Sequence, residues 1–98
     1  MSLATVSLYH RPRRHASMVA HDAAMITLTV AITHGVTMDE MLGPSRARRV
    51  AWPRQEAYRR VYDEVRPRLS PFRIGLLFGR DRRTVIHGIE AARRRMQA

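Results

Sequence analysis

The sequence predicts an all-α fold of about five helices, on three observations. Apolar residues recur at alternating steps of three and four, which is the period of one helix face. No stretch shows the strict apolar–polar alternation of a half-buried strand. Gly, Pro and capping residues fall at the ends of the periodic stretches, where helices start and stop.

Residues 1–16 have no period, carry Pro12 among basic residues, and are expected to form a flexible basic arm ahead of a domain spanning 17–98. Val19, Ala23, Ile26 and Val30 then mark one face of a helix that ends before Gly35. Thr37 opens a short second helix. Glu40, three residues on, completes a capping box, Met41 and Leu42 are expected to point inward, and Gly43 and Pro44 stop the helix. Ser45 to Val50 reads as an Arg-rich loop. Pro53 suits the first turn of a third helix, along which Ala57, Val61 and Val65 share a face and which Pro67 limits. Ser70 and Pro71 form an N-cap and first-turn pair before Ile74, Leu77 and Phe78, and Gly79 ends that helix. Asp81 is a good N-cap for a last helix whose face is Val85, Ile89, Ala92 and Met96. Two helices joined by a tight Gly-containing turn spell helix-turn-helix.

Ninety-eight residues leave room for one small domain and exclude a two-domain enzyme. The formal charge is +10, and such self-repulsion is usually retained because a polyanion relieves it, so nucleic acid is the first suspect. The charge is unevenly placed. Residues 46–98 carry fifteen Arg against five acids, whereas residues 15–45 carry only Asp22, Asp39 and Glu40 as formal charges. All 18 basic residues are Arg, which removes every phosphate-binding or Schiff-base Lys; a G+C-rich genome is the bland explanation of the bias. Cysteine is absent, so disulfides, thiolate metal sites and a Cys nucleophile are excluded. The apolar run Ala23 to Ile32 follows Arg11, Arg13 and Arg14, but His21 and Asp22 interrupt it and it falls short of the ~20 residues of a spanning helix. A cytoplasmic protein without a membrane partner is the expectation.

In a helix-turn-helix the second helix enters the major groove, and its first residues touch base edges. Those residues here are Asp81, Arg82, Arg83 and Thr84, preceded by Arg80. Arg can fork onto guanine, Asp can accept from the cytosine amino group, and Thr can offer a methyl to thymine. A solvated charged first turn is the plain alternative. Arg93 to Arg95 are expected only to complement the helix dipole at the other end, with weak phosphate attraction added. Arg46, Arg48 and Arg49 form a second candidate, since an Arg-rich segment can reach the minor groove, and Arg54 and Gln55 could hold phosphates at a helix start. Composition alone leaves open whether that loop is functional or merely solvated. The carboxylates Asp39, Glu40 and Asp81 lie on separate elements, so catalysis is not expected, nor is any cofactor or metal.

The stretch Phe78-Gly79-Arg80-Asp81-Arg82-Arg83-Thr84-Val85-Ile86-His87-Gly88 resembles a signature of the C-terminal DNA-binding domain of the bacterial replication initiator DnaA, Phe-Gly-Gly-Arg-Asp-His-Thr-Thr-Val-x-His-Ala. Val50-Ala51-Trp52-Pro53-Arg54-Gln55 is similar to the family's Val-Ala-Arg-Pro-Arg-Gln. Ser70 with Ile74-Gly75, and Val36-Thr37 through Leu42-Gly43 to Ser45-Arg46, add to the match, which runs from about Ala20 to Met96 in motif order. The resemblance implies a Trp-repressor-like helical fold that binds double-stranded DNA. Residue by residue, it implies Arg46, with Arg48, in the minor groove, Arg54 and Gln55 on the backbone, and Ser70 and Pro71 touching phosphate. Asp81, Arg82, Arg83 and Thr84 would be the major-groove readers, with His87 in a structural role.

Three departures stand out: one Gly of the turn is missing, Trp52 replaces an Arg, and Arg82-Arg83 replaces the family's His-Thr. The segment Val65 to Leu69 is also slightly longer than usual. No P-loop is present, so ATP-dependent origin melting and nucleotide binding are out for this chain. The first expectation is a stand-alone, sequence-specific DNA binder acting as a transcription regulator. The resemblance implies one narrower form, an activator of a prophage-like or gene-transfer-agent cluster. RNA polymerase or a DNA-bending protein is expected as a further partner because one module should bind modestly. The alternative is a replication regulator that binds initiator boxes.

Overall fold

The computed structural model describes residues 16–98, and the arm expected over 1–16 lies outside them except for Ala16. Five helices occupy the described residues: α1 (Ala16–His34), α2 (Met38–Leu42), α3 (Arg48–Glu64), α4 (Pro71–Phe78) and α5 (Arg82–Gln97). There is no strand among these residues.

The predicted caps form. Thr37 and Glu40 make the capping box of α2, with the Thr37 hydroxyl accepting from the Glu40 N–H and the Glu40 carboxylate accepting from the Thr37 N–H. Ser70 caps α4 by accepting from the Arg73 N–H at 3.2 Å, with Pro71 as the first helical residue. These contacts satisfy backbone donors that a helix start otherwise leaves orphaned.

The third helix starts earlier than Pro53 suggests. The Ala47 carbonyl accepts from the N–H groups of Val50 and Ala51, so Arg48 and Arg49 lie in the first turn of α3 rather than in a loop. Pro53 is therefore internal, and the carbonyl of Arg49 loses the donor that another residue at 53 would supply.

α3 is the central element, and each of the other four helices packs against it. Tyr58, Val50 and Val61 from α3 meet Val30 of α1, Met41 of α2, Ile74 of α4 and Val85 of α5 in one core. The rings of Tyr58 and Phe78 cross at 87° with centroids 4.8 Å apart, the edge-to-face geometry that the ring quadrupoles favour.

Three residues expected inside are exposed. Leu42 and Leu77 line a shallow apolar trough with Ala20 and Ala24, because Met41 and Phe78 already fill the core positions of their helices. Met96 lies in the last turn of α5, alongside Glu56 and Arg59. α1 also extends beyond the apolar run read from the sequence. At 19 residues it is long and apolar enough to cross a membrane by length and composition, but Val19, Ala23, Thr27, Val30 and Ala31 are buried in the domain core.

Candidate nucleic-acid interface

The turn between α4 and α5 is built by two glycines. Gly79 takes a left-handed φ of +65°, which an L side chain adopts only with strain. Gly75 sits where a Cβ would lie 2.3 Å from the Arg80 carbonyl oxygen, and its own carbonyl accepts from the Arg80 N–H at 2.8 Å. A side chain at 75 would push the two helices apart.

Asp81 then starts α5. Its carboxylate accepts from the Thr84 N–H at 2.7 Å, and hydrogen bonds from the Thr84 backbone and side chain hold the carboxyl below the usual carboxylate range. Asp81 and Thr84, expected to read bases, are thus engaged with each other as a helix cap. Val85, Gly88, Ile89 and Ala92 face the core, while Arg82, Arg83, His87 and Glu90 point outward. No hydrogen bond or ion pair to a described residue engages the guanidinium of Arg82 or Arg83. His87 differs from its expected structural role. It is exposed one turn beyond Arg83 on the same face.

Arg54 is not at the surface. It is 6% exposed and donates from Nε to the Met41 carbonyl at 2.8 Å, from Nη1 to Ser45 at 2.9 Å, and from Nη2 to Glu40 at 2.9 Å and Gly43 at 3.0 Å. These carbonyls at the end of α2 and in the following turn take up four of its five N–H donors, so it shapes the loop and has little left for a phosphate. Arg80, expected among the base readers, is turned back as well. It donates to the Phe78 carbonyl at 3.4 Å and to the Gly43 carbonyl. That second contact ties the α2–α3 loop to the helix-turn-helix turn.

The remaining arginines divide by partner. Arg49 pairs with Glu40, and this contact with the Thr37 bonds brings the Glu40 carboxyl down to about 2. Arg93 pairs with Asp63 at 2.8 Å and lies over the Tyr62 ring at 5.8 Å. Arg95 donates to the side-chain oxygen of Gln55 at 2.8 Å, so both Arg93 and Arg95 do more than complement a dipole, and only the amide NH2 end of Gln55 is left for a phosphate. Arg46 is exposed with no described partner, and Arg48 lies over the Trp52 ring at 5.2 Å. Ser70 and Pro71 stand at the start of α4, with the Ser70 hydroxyl used as its cap.

Among the described residues no hydrogen bond or ion pair engages the guanidinium of Arg46 or Arg48 beside the loop or of Arg82 or Arg83 on α5, and the same holds for the exposed Arg68, Arg73 and Arg94. The bond from Arg80 to Gly43 holds the loop against the turn that leads into α5. The sequence profile of the bacterial DnaA protein helix-turn-helix matches residues 23–91, from the second turn of α1 to the third turn of α5. The chain belongs to that family. No curated protein and no solved structure matches it. As a member of the DnaA helix-turn-helix family it carries a DNA-binding domain, with α4 and α5 as the two helices of the motif. Two positions where it leaves the DnaA signature are Arg82 and Arg83, the exposed pair at the head of α5 that has no hydrogen-bond or ion-pair partner among the described residues.

Proposed function

We propose that the chain is a sequence-specific binder of double-stranded DNA that acts as a transcription regulator, and not as an enzyme. α5 enters the major groove with Arg82 and Arg83 at base edges, and Arg46 enters the adjacent minor groove. One observation carries this reading. Of the arginines near the turn, Arg49, Arg54 and Arg80 each donate to a protein acceptor, whereas no described residue engages the guanidinium of Arg82 or Arg83 at the exposed start of the second helix. A guanidinium forks onto guanine O6 and N7, so the preferred site gains G·C pairs relative to the initiator's box. Each such contact contributes roughly 1–3 kcal/mol of discrimination.

Activation of a prophage-like or gene-transfer-agent cluster is the narrowest form of this proposal. RNA polymerase or a DNA-bending protein would add occupancy that one small module lacks. Mapping of bound sites across the genome tests the reading. Promoter-proximal sites with G·C-enriched motifs are expected. Enrichment confined to initiator boxes at the origin would replace this role with regulation of replication.

A further inference from the structure

Trp52 is the one Trp of the chain, and it is 46% exposed where its family carries Arg. Two guanidiniums lie over its ring, Arg48 at 5.2 Å and Arg95 at 4.5 Å. Arg95 reaches it from the far end of α5 and is fixed there by Gln55 Oε1 at 2.8 Å and by the Trp52 carbonyl at 3.3 Å. Among the described residues Arg48 is held by the ring alone, one helical turn before Trp52 on α3.

The two neighbouring arginines of the first turn of α3 are therefore held differently. Arg49 is held by the Glu40 carboxylate, which takes up donors and cancels charge. A ring attracts the face of a guanidinium through its quadrupole and leaves the N–H edge and the full charge available. We infer that Trp52 is a positioning residue for Arg48, presenting its guanidinium edge to a backbone phosphate of double-stranded DNA, with Arg95 bracing the ring. The inference rests on the duplex-binding reading above. Replacing the family's Arg by Trp gives up one cation and orders another.

The test is duplex DNA affinity across a salt series for the wild type, W52A, R48A, W52F and the W52A/R48A double variant, with circular dichroism confirming helix content. W52A should weaken binding about two- to fivefold at an unchanged salt slope, because it disorders a charge without removing it. R48A should weaken binding and flatten the slope by about one unit. The double variant should bind no worse than R48A, and W52F should bind nearly as the wild type does. Losses that multiply in the double variant, or a W52A affinity equal to wild type, would overturn the inference while leaving the DNA-binding reading intact. Absence of duplex binding by the wild type would overturn both.

Discussion

Arg54 and Arg80 donate to the same acceptor, the carbonyl of Gly43. Arg54 belongs to α3 and Arg80 to the turn before α5, so one peptide oxygen joins the central helix, the loop that carries Arg46 and the helix-turn-helix. Two like charges converge there, which is tolerable because each guanidinium is also spread over other carbonyls. The contact fixes the loop that carries Arg46 relative to α5, as the proposed binding to two grooves requires.

Arg54→Ala should destabilise the fold by roughly 2–4 kcal/mol, since it removes four charge-assisted hydrogen bonds and takes their donor from the buried Met41 carbonyl and the part-buried Ser45 carbonyl. Urea denaturation reads this as a lower midpoint. Unchanged stability with weakened DNA binding would instead mean that Arg54 acts on phosphate.

Tyr58→Phe should stabilise the protein by about 1 kcal/mol. The Tyr58 hydroxyl is buried without a hydrogen-bond partner among the described residues, and Phe keeps the edge-to-face contact with Phe78 while removing the desolvated oxygen. A lower melting temperature for the variant would show that the hydroxyl has a partner in solution.

Gly88→Ala restores the family's residue and improves helix propensity, yet its Cβ would lie 2.6 Å from Cδ2 of Tyr58. Overpacking should win, with a net loss of about 1–2 kcal/mol. Combining it with Tyr58→Leu should recover part of that loss, which a double-mutant cycle would measure.

Acid should weaken the fold through Glu40. Its folded carboxyl titrates near 2 against an ordinary value of 4.5, so its contribution is complete above 4.5 and drains away as pH falls toward 2. Asp81 is lowered in the same sense by its cap. Melting temperatures between pH 7 and pH 2 should fall below about pH 4.5, and Glu40→Gln should flatten that fall at the cost of a lower plateau. An identical acid profile for the variant would remove Glu40 from the explanation.

Features that depend on neighbours in sequence were legible in it. Thr37 with Glu40, Ser70 with Pro71, and Asp81 each act within three residues of themselves, so the caps and the helix-turn-helix follow from local chemistry. The start of α3 was misplaced because Pro53 also fits a first turn, and only the bonds to the Ala47 carbonyl reveal the helix that precedes it. The roles of the arginines were the least legible. Arg80 finds Gly43 37 residues away and Arg95 finds Trp52 43 residues away, so which guanidiniums are spent inside the protein is decided by tertiary packing. The exposed Trp52 was visible as a departure from the family pattern, but nothing nearby in sequence announced Arg95 over its ring.

Selection of binding sites from random duplex DNA, run in parallel for the wild type and for Arg82→Ala and Arg83→Ala, weighs the assignment of α5 as the base-reading helix. The wild type should yield a motif with G·C pairs absent from the initiator box, and each variant should lose preference at one position at a cost of roughly 1–3 kcal/mol. An unchanged motif in both variants, with affinity reduced equally on selected and random DNA, would reduce Arg82 and Arg83 to non-specific phosphate contacts and contradict the assignment.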